Sequence, residues 1–214
     1  ASPRDAAVGD VDGDGRPEIA LLVEWPEWSS IAEEQSLGPG RSEVTVVPAI
    51  EVRRELWVLR VDEGRLERVA PPLTVGADVV ALDAPEGGGP VVALTREGPA
   101  SVQSVAGEPS GSQGPVLTLR RIASVDTPLG RSESVLSGLR LVADLEGDGN
   151  WSVVVPTSTG TAIVGRDGGV TELPATFREV RSGPGARLTM SLPELVDLDG
   201  DGMHELLESR TGAK

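Results

Sequence analysis

The chain contains three copies of a six-residue acidic loop, D-x-[DE]-G-D-G, and each copy is followed at once by an apolar, strand-like run. The copies begin at Asp10, Asp144 and Asp197. Carboxylates stand at loop positions 1, 3 and 5, and the glycine at position 6 permits a tight turn. This spacing wraps oxygen ligands around one hard cation such as calcium, and its recurrence predicts a repeat protein.

A fourth, degenerate copy lies in the long interval between the first two loops. An apolar run, Asp83, a glycine-rich turn and a second apolar run follow one another in the same order. Pro85 and Gly87 stand at positions 3 and 5, so this copy has lost its ligands. The copies recur about every 50 to 75 residues, which suits a unit of four strands with variable loops. The predicted units of this single repeat domain, 1–214, are about 4–75, 76–137, 138–187 and an incomplete 188–214.

Composition also favours an all-β chain. Aromatic residues make up only 2% of the sequence, so the core must be built from Val, Leu, Ile and Ala. Glycine and proline are frequent, which is typical of many short strands joined by turns. Residues 26–54 interrupt the first unit, and we expect an insertion there with a short helix over Ser29–Gln35.

The loop and the strand that follows it resemble the FG-GAP or VCBS repeat, the blade unit of integrin-α-like β-propellers. The resemblance covers about residues 4 to 209. It implies an all-β fold of four-stranded antiparallel blades in a partial or truncated β-propeller, with calcium-binding loops that hold two or three ions. Because such propellers have about seven blades, we expect either a piece of a larger propeller or a second chain that completes it.

The family's ligand positions are 1, 3, 5 and 9, with a backbone carbonyl at position 7. In the second loop, Ser152 stands at position 9, where the family has a carboxylate. The metal ligands that the resemblance implies are Asp10, Asp12, Asp14, Arg16, Glu18, Asp144, Glu146, Asp148, Asn150, Ser152, Asp197, Asp199, Asp201, Met203 and Glu205.

An EF-hand shares loop positions 1, 3, 5 and 6 and is the main alternative for these loops. It needs a glutamate at position 12 and a helix after the loop. Position 12 is Leu21 in the first loop and Val155 in the second, whereas Glu208 fits in the third. The strand-like runs after the loops favour the propeller-type interpretation.

Charge and residue content limit the other functions. The formal net charge of −15 argues against nucleic acid as a partner. The chain has no cysteine and one histidine, His204, so neither a Ser-His-Asp nor a Cys-His arrangement is expected. No run of 18 apolar residues is present, so no transmembrane helix is expected.

The sequence therefore predicts a calcium-stabilised, non-catalytic interaction, adhesion or scaffold module. Weak calcium sites fill outside the cytoplasm, so an extracellular, cell-surface or periplasmic location is expected. The expected partner is a protein or a glycan, and Trp25 and Trp28 are the candidate contact residues. Trp57 is expected between blades, and Trp151 beside the metal. Two alternatives stay open: a propeller domain of a secreted polysaccharide lyase or hydrolase, and a subunit of a surface filament or assembly.

Overall fold

The computed structural model describes residues 1–38, 41–106, 114–131, 135–157, 160–174, 194–201 and 203–207. The fold is all-β, as the sequence predicts. Its strands form separate antiparallel sheets in chain order, and each strand pairs mainly with its neighbours along the chain. Pairing between sequential strands is what short turns between β-prone runs produce.

The first sheet is the largest and has the order β1-β2-β3-β4, with β5 added beside β3. Its strands are Ser2–Gly9 (β1), Glu18–Gly38 (β2), Arg41–Asp62 (β3), Arg65–Arg68 (β4) and Leu73–Thr74 (β5).

The second and third sheets each have four strands in sequential order, which confirms the expected four-stranded antiparallel units. The described part of the fourth sheet is a two-stranded hairpin. The second sheet consists of Val79–Asp83 (β6), Val92–Thr95 (β7), Gly98–Ala106 (β8) and Pro115–Arg121 (β9). The third consists of Val142–Ala143 (β10), Ser152–Pro156 (β11), Gly160–Gly165 (β12) and Val170–Pro174 (β13). The fourth contains Glu194–Val196 (β14) and Glu205–Leu207 (β15).

Consecutive sheets pack face to face through three buried clusters. One cluster joins the first sheet to the second, for example Leu22 and Leu56 with Val102. The next joins the second to the third, and a small one joins the third to the fourth through Val154 and Leu195. In the described part of the chain, none of these clusters joins the fourth sheet to the first. The described residues therefore form a series of stacked sheets, and no closed ring is shown among them.

Alternation along the central strands explains the stacking. In β7, Val92 and Leu94 belong to the cluster shared with the third sheet, whereas Ala93 belongs to the cluster shared with the first. Successive side chains of a strand point to opposite faces, so an uninterrupted apolar run supplies both faces. This is why the runs after the loops are apolar at every position instead of at every second one.

Within the predicted insertion 26–54, the described residues 26–38 and 41–53 form an extension of the first sheet, and the short helix predicted over Ser29–Gln35 is wrong. Strands β2 and β3 continue past the other strands and pair with each other as far as Gly38 and Arg41. Ile31–Gln35 contains good helix formers, but cross-strand pairing overrides that weak local preference. We call this extension, residues 26–38 and 41–53, the arm.

Two aspartates join one sheet to the next through backbone hydrogen bonds. Asp5 in β1 is buried, and its Oδ2 accepts from the amide of Leu82 at 2.7 Å. Asp83, at the end of β6, accepts from the amides of Leu141 and Val142 through Oδ2 at 2.6 and 2.8 Å. Asp83 stands at position 1 of the degenerate loop, so there the carboxylate binds the neighbouring sheet.

Within the described residues, the chain has no helix that is long and apolar enough to cross a membrane.

Candidate metal centre

The three acidic loops occupy the same place in their sheets. We number them in chain order as loop 1, loop 2 and loop 3, beginning at Asp10, Asp144 and Asp197. They connect β1 to β2, β10 to β11 and β14 to β15, which are the first two described strands of each sheet. In each case the described chain continues after the loop as a strand. The helix that an EF-hand would require is therefore absent from these described segments, and Glu208, its third-loop ligand, lies outside them.

The aspartate at position 1 organises each loop. Oδ1 of Asp10, Asp144 and Asp197 accepts from the position-4 glycine amides at 2.7, 2.8 and 2.6 Å. Those glycines have left-handed backbones, with φ of 79°, 68° and 80° for Gly13, Gly147 and Gly200. A residue with a Cβ adopts this conformation only with strain, which explains glycine at position 4 of the sequence pattern.

The residue at position 7 is fixed in all three loops by a hydrogen bond that its backbone amide donates. The amides of Arg16, Asn150 and Met203 each donate to Oδ1 of the position-5 aspartate at 2.8 Å. In the second loop, Asn150 Nδ2 also donates to Asp148, and these hydrogen bonds lower the pKa of that carboxyl. The repeated sequence therefore gives a repeated backbone geometry, even though position 7 carries three different side chains.

Loops 1 and 3 have a further shared contact, made by the glutamate at position 9. Glu18 Oε2 accepts from the amide of Val11, and Glu205 Oε2 accepts from the amide of Leu198, both at 2.9 Å. Each glutamate thereby reaches from the start of a strand back over its loop, towards the aspartates. Ser152, at position 9 of loop 2, is too short to make this contact.

Carboxylate oxygens come together in the first and third loops. Oxygens of Asp10, Asp12 and Glu18 lie within 4.8 Å of one another, and so do those of Asp197, Asp199 and Asp201. Calcium–oxygen distances are about 2.3–2.6 Å, so oxygens this close can share one ion. The donor sets fit a hard divalent cation, and they do not by themselves choose calcium among such cations.

Loop 2 is different. Asp144, Glu146 and Asp148 are not among the acidic clusters found in the described residues. Its internal hydrogen bonds still match those of loop 1: the Gly149 amide donates to Asp144 Oδ2 at 2.8 Å, as the Gly15 amide donates to Asp10 Oδ2 at 3.0 Å. Its expected ligands therefore share the loop geometry of the other two copies without the same convergence of carboxylates.

A positively charged side chain from another strand contacts loop 1, and the sequence pattern did not reveal it. Arg60 of β3 places Nη2 at 2.6 Å from Asp12 Oδ2 and 2.7 Å from Glu18 Oε1. Asp14 Oδ2 lies 3.2 Å from the same nitrogen. The Glu18 and Asp12 carboxylates raise the pKa of the Arg60 guanidinium above its usual range. The pairing register of β2 and β3 accounts for this contact, because Leu59 is opposite Ile19 and Arg60 is therefore beside Glu18.

Neighbouring loops also touch. The amide of Asp10 donates to the Gly89 carbonyl at 2.7 Å, which joins loop 1 to the degenerate loop. The amide of His204 donates to the Asp144 carbonyl at 3.2 Å, and the Met203 side chain lies over Gly147 where a Cβ would stand. The loops thus lie along one end of the stacked sheets, and His204 is part of a loop-to-loop contact.

A groove of about 760 Å³ opens at this end of the sheets. Loop 1, the degenerate loop and loop 2 contribute Asp12, Gly88 and Trp151 to its lining, and Arg120 and Arg166 contribute positive charge. Trp151 is mostly buried in the core between the second and third sheets and also borders loop 2. The groove is polar, open to solvent and bordered by charges of both signs.

The other tryptophans divide between packing and exposure. Trp57 is half-buried on the face of the first sheet that is turned away from the second, so it does not lie between the described sheets as expected. The reason is the strand period: Leu56 and Val58 on either side of Trp57 face the core. Trp25 packs on Trp57 with ring centroids 6.3 Å apart, and the Arg68 guanidinium lies 4.2 Å from the centre of the Trp57 ring.

Trp28 is 79% exposed and belongs to an apolar face of the arm. It pairs with Ile50 across the two strands, and every second residue from Val44 to Val52 lies on the same face as Ile50. Of the two tryptophans expected to contact a partner, Trp28 is therefore the one available at the surface. The exposed large apolar residues of this face are Trp28, Val44, Val46, Ile50 and Val52.

No family model, no curated protein and no solved structure matches this chain.

Proposed function

We propose that the chain is a calcium-stabilised, non-catalytic binding or scaffold module built from stacked propeller-type sheets, with its ions in loops 1 and 3. The observation that carries this proposal is the convergence of carboxylate oxygens within 4.8 Å in two copies of one repeated loop. Repetition matters here because an isolated acidic turn is common on protein surfaces. Oxygen donors alone fit any hard divalent cation, and the resemblance of the loops to the FG-GAP repeat is what favours calcium among these ions.

In this proposal the bound ion has a structural role. Asp10 and Asp12 would hold it from the loop, and Glu18 would hold it from the strand that follows. Asp197, Asp199 and Asp201 would do the same in loop 3, with Glu205 close by. The ion would neutralise carboxylates that otherwise repel one another, and so it would fix the junction of two strands.

The arm and the loop groove support a binding role for the module. A two-stranded ribbon that leaves its own sheet has little to stabilise it alone, and the apolar face with Trp28 is suited to contact with another molecule. The proposed partner is a protein or a glycan. The proposed location is extracellular, at the cell surface or in the periplasm, where calcium is abundant enough to fill weak sites.

Thermal unfolding with and without calcium tests the structural role. At ten times the dissociation constant, each site adds about 1.4 kcal/mol by mass action, which for two sites raises the unfolding midpoint by roughly 6–12 °C in a chain of this size. The comparison is made in chelator and in excess calcium, with magnesium as the ionic control. An unchanged midpoint would contradict a structural calcium role.

A further inference from the structure

Arg60 occupies loop 1 at the atoms that would bind a metal ion. Its guanidinium contacts Asp12, Asp14 and Glu18, which are three of the four carboxylates that the loop offers. Its Nε also donates to Glu18 Oε1 at 3.0 Å, so Glu18 receives two hydrogen bonds from one guanidinium. Two of the contacted carboxylates, Asp12 and Glu18, belong to the acidic cluster of loop 1.

This contact is set by the sheet and is partly shielded from water. Arg60 is in β3, next to Leu59, which pairs with Ile19 directly after the loop. The Glu18 side chain is fully buried and that of Arg60 is 27% exposed. A carboxylate removed from water requires a compensating positive charge, and the attraction is stronger there than at an exposed site.

Among the first three sheets, the position-9 glutamate and an arginine beside it are found in the first sheet. In the third sheet, Ser152 replaces that glutamate, and the residue opposite Ser152 is Gly165. In the second sheet, Val91 and Val102 are hydrogen-bonded neighbours at the corresponding place, and both are buried. Glutamate and arginine therefore occur together in the first sheet and are both missing in the next two.

We propose that Arg60 is a tethered cation that neutralises loop 1 when calcium is absent and competes with calcium for the same carboxylates. Calcium entry at loop 1 then requires the guanidinium to leave Asp12 and Glu18. Loop 1 consequently fills at a higher calcium concentration than its carboxylates alone would allow, and the calcium-free loop stays ordered. The competition rests on the proposed calcium function, whereas the neutralising role of Arg60 does not.

The test is calcium titration of chelator-stripped protein that carries Asp199→Asn. This substitution is chosen to abolish calcium binding at loop 3, so that loop 1 is observed alone. Adding Arg60→Gln is expected to tighten calcium binding at loop 1 at least tenfold. Arg60→Lys keeps the charge without the planar fork and should fall in between. Arg65→Gln is the matched control, because Arg65 is an exposed arginine on the adjacent strand of the same sheet. In this variant the calcium affinity of loop 1 should stay within about twofold of its value without the substitution.

Thermal unfolding in chelator supplies a second readout. Arg60→Gln should lower the calcium-free midpoint more than Arg65→Gln does, because only the former leaves Glu18 buried without its counter-charge. Unchanged or weaker calcium binding at loop 1 after Arg60→Gln would overturn the competition. If neither these variants nor the protein with loop 3 intact binds calcium, the proposed calcium function fails. The chelator melts then decide the neutralising role, which an equal midpoint for both variants would refute.

Discussion

Arg54→Met is expected to lower the free energy of unfolding by about 3–5 kcal/mol, the range for removing one partner of a buried charge pair. Arg54 is fully buried between the first two sheets. Its Nε donates to Glu24 Oε1 at 2.9 Å, and its Nη1 donates to the carbonyls of Val79 and Ala77 at 3.0 and 3.3 Å. Methionine fills much of the volume but removes the donor to the two carbonyls and leaves Glu24 with the exposed Arg4 as its remaining counter-charge. Chemical denaturation at constant pH measures the change.

The neighbouring arginine is the control for this prediction. Arg53 lies on the opposite face of β3, is 44% exposed, and pairs with the exposed Glu27 and with the mostly buried Glu55. Because the Arg53 guanidinium is in contact with water and Glu55 keeps the Trp57 indole N–H as a donor, Arg53→Met should have a much smaller effect. Equal losses for the two variants would show that Arg54 does not hold the two sheets together in the way its contacts indicate.

Asp83→Ala is expected to cost about 2–4 kcal/mol, because it leaves two buried amides without an acceptor. The carboxylate accepts from Leu141 and Val142, so the loss falls on the junction between the second and third sheets. Asp83→Asn keeps an acceptor oxygen of similar reach and should retain most of the stability. Denaturant midpoints of the two variants separate the hydrogen bonds from the charge.

The pH dependence of the same site has a defined sign. Burial raises the pKa of the Asp83 carboxyl, and the amide hydrogen bonds oppose this only in part. The folded protein therefore holds this proton more tightly than the unfolded chain does. The stability contributed by the more tightly held proton is fully present below the pKa that Asp83 has in the unfolded chain. It is lost as pH rises through the raised pKa of the folded protein. Asp83→Asn should remove this component, and an identical pH profile in the variant would contradict the assignment.

Much of the fold was predictable because the repeat pattern carries local information. Glycine at loop position 4, the aspartate at position 1 and the apolar run after each loop specify a turn between two strands. These are short-range requirements, and the structure contains them at all three intact loops. The degenerate copy was also recognisable, since Asp83 keeps its place at the end of β6.

Contacts between sheets were not predictable from the pattern. The loop alignment gave no hint that Asp83 accepts from the amides of Leu141 and Val142, because that pairing depends on how the sheets stack. The same holds for Arg60, which is far from loop 1 in sequence and reaches it only through the register of β2 and β3. The helix predicted over Ser29–Gln35 was wrong for a related reason. Local helix preference is weak, and the partner strand that overrides it is distant in sequence.

The acidic residues of the two clusters could be named from the sequence, but which loops bring their carboxylates together could not. The sequence predicted two or three calcium ions from three similar loops. The described residues bring carboxylates together in loops 1 and 3, whereas loop 2 has Glu146 at position 3 and Ser152 at position 9. A longer carboxylate and a short hydroxyl change which oxygens can converge, and this depends on side-chain reach, which a spacing pattern does not record.

Calcium titration calorimetry on chelator-stripped protein tests the central claim most directly. The expected result is two ions per chain, with one lost in Asp12→Asn and the other in Asp199→Asn. Glu146→Gln in loop 2 serves as the matched control and should leave both sites in place. Absence of calcium binding, or binding that survives the double variant Asp12→Asn/Asp199→Asn, would contradict the assignment of structural calcium to loops 1 and 3.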